Sequence, residues 1–245
     1  MKIKTNLLFL LFIVTFISVA ADLNSNLFYL NRKVQVSNNT FSENHKLIAS
    51  LPDHSIKLFA INPQHEGVYN SLMLCIDGKS AILGWQSDSN PTFQPKLYLA
   101  DLNNDKKNEL IIILTTGAGS DIHIEEVHII NVDNFSETKV ENPLDMAKNT
   151  VQTSITKEND DVFIQITFNN KAKIIKRKKS YAGFWFENVY FGNWIHYDIK
   201  NNLLTVRVGA QVSPSGFVGE VVFTYKFLDN KYILKDSTFE DSNDL

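Results

Sequence analysis

Short apolar runs separated by polar turns recur along the chain from Leu27 to Lys235, and this pattern predicts an all-β fold. The runs are rich in Val, Ile, Phe, Tyr and Leu, residues that suit a pleated, half-buried surface. In the first half they fall at Leu27–Val36, Ser55–Ile61, Val68–Ile76, Ser80–Gln86, Lys96–Ala100, Glu109–Thr115 and Asp121–Val132. In the second half they resume at Thr150–Thr156, Asp161–Phe168, Lys171–Ile175, Gly183–Phe191, Trp194–Ile199, Leu203–Val212, Gly219–Phe227 and Tyr232–Lys235. Asp77-Gly78 is a strong hairpin signal, because both residues tolerate the positive φ of a tight turn. Asn169-Asn170 and Asn201-Asn202 serve the same purpose, since Asn visits the left-handed region readily. The expected fold is therefore mainly antiparallel, with sandwich-like or propeller-blade-like sheets.

One stretch has helical character. Pro143 suits a first helical turn and Asn149 a terminus, so Pro143–Asn149 is expected as a short helical link. It divides the chain into an N-terminal β unit over 22–142 and a C-terminal β unit over 150–239. The end, 240–245, is acidic, has little to bury and is expected to be a frayed tail.

The beginning breaks the strand pattern. Lys2 and Lys4 precede a nearly unbroken apolar run from Leu7 to Val19, and small residues follow. These features predict a helical signal peptide over 1–21, and hence a secreted or cell-envelope location. A spanning helix needs roughly 20 apolar residues. Asp22, Asn24, Ser25 and Asn26 end this run sooner, so the mature chain is expected to have no membrane span, with an uncleaved N-terminal anchor as the alternative. No Cys lies near the cleavage position, which argues against a lipoprotein.

Composition narrows the function classes. The chain has 245 residues, 44% of them hydrophobic and 21% charged, enough for one or two cores. A formal net charge of -3 gives no general field to attract a polyanion, so nucleic acid is not an expected partner. Cys75 is the single cysteine, which excludes an intrachain disulfide and leaves the core, or a metal, to hold an exported chain together. The abundance of Lys, Asn and Ile suggests an AT-rich bacterial genome.

The most informative chemistry lies in Leu97–Gly119, reading LYLADLNNDKKNELIIILTTGAG. Asp101, Asn103, Asp105 and Glu109 put oxygen-bearing side chains at positions one, three, five and nine of a tight loop, with the Lys107 carbonyl at seven. Calcium takes about six to eight hard oxygen ligands, and alternate residues of a curled loop can converge on it. Three carboxylates that repel one another in the empty loop would be neutralised by the ion. The same residues also make an ordinary polar turn. An EF-hand is excluded, since position twelve is Ile112 and the flanks read as strands.

A strand, a loop of this spacing and a second strand resemble the calcium loop of FG-GAP or VCBS-type repeats, whose pattern is Asp-x-Asp/Asn-x-Asp-Gly-x-x-Asp. Asp101, Asn103, Asp105 and Glu109 match the ligand positions, whereas the pattern's glycine is Lys106 here. The resemblance covers one copy, followed by Thr116-Gly117-x-Gly119, an arrangement also similar to a group of exported bacterial proteins. It implies calcium as the cofactor. It does not imply a propeller, which needs several blades of its own.

Other clusters are weaker. Thr116, Gly117 and Gly119 form a small polar segment where a ligand can approach the backbone, or a plain hairpin connection. His123 and Glu125 share one face of a strand and Glu126 and His128 the other, so the four cannot converge by themselves, and a solvated face is the simpler reading. Lys171, Lys173, Lys176, Arg177, Lys178 and Lys179 form a basic patch that can meet an anionic envelope polymer, lipid headgroups or the acidic tail. The aromatic residues from Phe184 to Tyr197 read as a strand buried on both faces. No Gly-x-Ser-x-Gly, zinc-protease or Cys-His motif is present. The reading that results is a non-enzymatic binding or scaffolding protein of the bacterial envelope, its partner an envelope polymer or protein. A wall-polymer hydrolase and an anionic-polymer binder are the rivals.

Overall fold

The structure, a computed structural model, describes residues 36–37, 45–61 and 67–242. The expected signal segment and most of the expected strand Leu27–Val36 lie outside these residues.

The N-terminal part contains β1 (Val36–Ser37), β2 (Lys46–Leu51), β3 (Ile56–Ala60), β4 (Val68–Tyr69), β5 (Leu72–Ile76), β6 (Lys79–Leu83) and β7 (Ser87–Asp88). Five of them form an antiparallel sheet in the order β1-β6-β5-β3-β2, and β4 pairs with β7 separately. The single strand expected over Val68–Ile76 is thus two, interrupted at Asn70, whose side-chain oxygen accepts from Gln86 Nε2 at 3.0 Å. Asp77 (φ 48) and Gly78 (φ 79) make the β5–β6 hairpin as expected.

The rest comprises β8 (Lys96–Ala100), β9 (Glu109–Gly119), β10 (Ile122–Ile130), β11 (Glu137–Val140), helix α1 (Pro143–Thr150), β12 (Val151–Glu158), β13 (Asp161–Phe168), β14 (Lys171–Lys178), β15 (Trp194–Lys200), β16 (Leu203–Ser213), β17 (Gly216–Leu228) and β18 (Lys231–Asp241). Pro143 opens α1, and Asn142 caps it by accepting from the N–H groups of Leu144 and Asp145. The paired asparagines turn as expected, with φ of 47 and 59 at Asn169 and Asn170 and 52 and 57 at Asn201 and Asn202.

An eight-stranded sheet runs β11-β18-β17-β16-β15-β10-β9-β8, so strands from before and after α1 lie side by side. β10 pairs with β15 in parallel through His123 and Ile124, and with β11 through Ile129 and Ile130. Strands β15 to β18 and β11 therefore leave one stretch of β10 and return to another. This closure encloses the main core, with Ile113, Ile129, Val206, Val208, Val221 and Phe223 all at 1% exposure or less. It gives β11 a partner on its outer side, while β8 stays an edge strand paired with β9 alone.

Leu110 to Leu114 of β9 are each buried to 1% exposure or less, which requires cover on both faces. The main core supplies one side. On the other, Trp85 stacks at 3.8 Å on His128, the register partner of Ile112. A three-stranded sheet, β12-β13-β14, builds a second core in which Val162, Ile164 and Ile166 join Ala210, Val212 and Val218.

Two expectations need correction. Gly183–Phe191 is not a strand: β15 pairs with β16 no further than Val208, and the segment reaches the free edge only through the Tyr190–Gln211 bridge and the Phe186 N–H to Val212 carbonyl bond. Its aromatics are accordingly not all core, since Phe184 is 64% exposed while Trp185 is buried. Glu240 and Asp241 do not belong to a frayed tail, because β18 extends through Asp241, whose carboxylate is held by Arg177 and Lys173, while 243–245 lie outside the described residues. Among the described residues no helix is long and apolar enough to cross a membrane.

Candidate functional site

The antiparallel register of β8 and β9 places Ala100 opposite Glu109 and so folds the intervening loop back on itself. Asp101 accepts the N–H groups of Asp105 (3.1 Å) and Lys106 (3.0 Å), and Asn103 Oδ1 accepts the Asp105 N–H at 2.8 Å. Asp105 in turn accepts the Lys107 N–H at 2.8 Å. The Asn103 amide donates to Glu109 at 2.7 Å and to Asp105 at 3.3 Å, so it lies between two carboxylates as a cation would. Glu109 also accepts the Leu102 N–H at 2.9 Å. The side chains of Asn103, Asp105 and Glu109 are thus joined by hydrogen bonds, and Asp101 holds the backbone of the same loop. Lys107 sends its ammonium outward to Asp133 at 3.5 Å.

Lys106 takes the left-handed conformation, with a φ of 73. Burial pushes the Glu109 carboxyl above its ordinary value against the pull of the Leu102 N–H, and the charges of Asp105 and Asp101 add to the rise. Beneath the loop, Tyr232 is 1% exposed, its hydroxyl has no hydrogen-bond partner among the described residues, and burial together with Glu109, Asp101 and Asp105 pushes that hydroxyl upward. The carboxylates of Asp101, Asp105 and Glu109 and the curled backbone are the groups of this loop that could hold a hard cation.

A second cluster lies at the seam of β10 and β15. Glu125, fully buried at its side chain, accepts from Lys96 Nζ at 2.8 Å and from the Tyr197 N–H at 2.7 Å. It also lies 3.1 Å from His123 Nε2 and 3.1 Å from His196 Nδ1. Burial opposes its charge, but the hydrogen bonds from His196, Lys96 and Tyr197 outweigh it and hold the carboxyl down to about 2. The rings of Phe93 and Trp194 lie 5.9 and 5.2 Å from that of His123. His123, Glu125 and His196 form a triad able to hold a metal ion, their ligand atoms all within 4.8 Å of one another. Sequence reasoning put His123 and Glu125 on one face but missed His196 and Lys96, which arrive through long-range pairing that leaves no local mark.

Comparison with protein-family models, with curated proteins and with solved structures finds no match. Function rests on the geometry alone.

Thr116 and Gly117 line a groove of about 540 Å³ together with Ala118, Ser89, Asn90 and Pro91, whereas Gly119 lies outside it at the end of β9. Thr116 is the extra residue of a bulge, since Ile124 faces Gly117 and Glu125 faces Thr115. The basic run is divided by strand alternation. Lys176 and Lys178 share Asp161 at 2.8 and 2.7 Å, whereas Lys173 and Arg177 meet Asp241 at 3.8 and 3.3 Å. These internal pairs reduce the field that the patch offers to a polymer. Lys171 and Lys179 lie at the ends of the run and are exposed.

Proposed function

We propose that this chain is an exported, non-enzymatic binding or scaffolding protein of the bacterial cell envelope, with the Asp101–Glu109 loop braced by calcium. The observation that supports the reading is the curled loop, with the Asn103 amide between the Asp105 and Glu109 carboxylates and Asp101 accepting the Asp105 and Lys106 N–H groups. Calcium would replace that internal donor with a stronger bridge and tie the β8 and β9 ends together without a disulfide. Such a brace acts where free calcium is plentiful, and its contribution grows with calcium concentration, reaching about 2.7 kcal/mol at a hundred times the dissociation constant. The partner, on this reading, is an envelope polymer or another envelope protein.

Thermal unfolding with calcium and with a chelator tests the brace. Calcium should raise the melting temperature of the wild type and leave an Asp101→Ala, Asp105→Ala double variant unchanged. An equal response in both proteins, or none in either, would remove the brace from the proposal. Recovery of the chain from the cytoplasm with residues 1–21 attached would remove its export.

A further inference from the structure

His123, Glu125 and His196 offer two imidazole nitrogens and a carboxylate from two strands that meet only by tertiary pairing. We propose that these three side chains form an open site for a transition-metal dication of the zinc class, with Lys96 as the displaceable cation that pairs with Glu125 in the metal-free protein. The proposal does not rest on the calcium reading, because the two donor sets share no residue.

The donor types select the metal. Two imidazoles and one carboxylate suit zinc and its neighbours, whereas calcium takes oxygen ligands alone. Three protein ligands leave one position of a tetrahedral ion for water or an exogenous ligand. The groove lined by Ala118 and Pro91 lies near the His123 side of the site: Ala118 is the register partner of His123, and Phe93, at the end of the turn that Pro91 opens, has its ring centroid 5.9 Å from that of His123.

The surroundings hold the ligands in place. Both histidines sit on paired strands, His123 opposite Ala118 and Trp194, and His196 opposite Arg207. The Tyr197 N–H anchors one oxygen of Glu125, the kind of outer support that orients a metal ligand. The indole N–H of Trp194, whose ring packs against His123, has no acceptor among the described residues, and a metal-bound water or anion is an acceptor of the required kind.

Lys96 is the group that must leave. Its side chain is 41% exposed, so the ammonium can swing into water while a dication takes its place on Glu125. Any proton held between a histidine and Glu125 leaves as the imidazole lone pair turns to the metal, so binding competes with protons. The exchange leaves the buried carboxylate paired throughout.

The test is titration of the metal-free full-length chain with Co²⁺ as the spectroscopic probe and Zn²⁺ as the competitor. Co²⁺ should give the intense visible bands of a low-coordinate site, and Zn²⁺ should abolish them. His196→Ala and Glu125→Gln should weaken binding beyond the roughly 10–100-fold that loss of an outer-shell partner costs. An Asp101→Asn, Asp105→Asn double variant should bind Co²⁺ as the wild type does, which separates this site from the calcium loop. Lys96→Met keeps every ligand and removes the competing cation, so it should bind more tightly, and it reads the site even if a ligand variant fails to fold. No Co²⁺ spectrum in the wild type, a spectrum that survives both ligand substitutions, or equal or weaker binding by Lys96→Met would overturn the proposal.

Discussion

The N–H of Tyr197 donates to the carboxylate of Glu125 at 2.7 Å, just past the point where the β10–β15 ladder stops at Ile124 and Ile195. A side chain thus continues a backbone ladder. The seam that closes the sheet on itself is pinned by a buried charge.

Removing that charge should weaken the seam in a pH-dependent way. The Glu125 carboxyl is lowered from an ordinary 4.5 to about 2 in the folded chain. A depressed carboxyl contributes stability that is fully present above the unfolded value and lost as pH falls through the folded one. With chelator present, urea unfolding should show a contribution on the order of 3 kcal/mol that fades between about pH 4.5 and about pH 2. Glu125→Gln should lack this component, so its deficit against the wild type should narrow over the same interval. A deficit that stays constant with pH would show that the seam depends on shape and not on the charge.

Lys106 occupies a left-handed position at φ 73 without being glycine. A side chain there costs about 1–2 kcal/mol, offset in part by the greater unfolded-state freedom of glycine. Lys106→Gly should therefore raise stability by on the order of 1 kcal/mol. Lys106→Val should lower it, because a β-branched residue tolerates this conformation least. Melting temperatures of the two variants against the wild type check both signs.

The sequence made the strands and turns legible wherever the signal was local. Asp77-Gly78, Asn169-Asn170 and Asn201-Asn202 announce their hairpins because the left-handed φ is a property of those residues themselves. The oxygen spacing of the Asp101–Glu109 loop is local in the same sense, and the side chains of Asn103, Asp105 and Glu109 meet there. What could not be read was pairing at a distance. Lys46–Leu51 buries only Ile48 and so lacks a clear alternation, which hid β2. The Gly183–Phe191 run has strand-like composition but little free edge to join. His196 lies 71 residues beyond Glu125, and only the closing of the sheet onto β10 brings it to that carboxylate.

Cys75 should be silent toward thiol reagents in the native protein. It is 4% exposed on β5, and burial pushes its thiol upward against the pull of Lys57. A buried, protonated thiol is a poor nucleophile. Modification by an aromatic disulfide reagent should follow unfolding, being slow in buffer and complete in denaturant. Fast stoichiometric modification in buffer would mean that β5 opens readily and that the N-terminal sheet is less stable than its burial implies.

Asp161 is the register partner of Lys178, and its carboxylate also reaches Lys176 two residues away on the same face of β14. The two ammonium groups hold the carboxyl below its ordinary value, through hydrogen bonds first and charge second. Arg177, between them in sequence, bonds instead to Asp241 at the end of β18. The basic run is therefore two separate pairings on opposite faces of one strand, and Asp161 governs the more exposed one. Asp161→Asn should release both lysines and delay elution from an anionic resin in a salt gradient, with a steeper salt dependence than the wild type. The substitution should change stability little, because the pairs it breaks are exposed. Asp241→Asn should behave in the opposite manner, lowering the melting temperature more than it alters retention, since Asp241 is buried and anchors β18 to β14. Equal retention of Asp161→Asn and wild type would place the lysines out of reach of any surface polymer and remove the patch as a polymer-binding face.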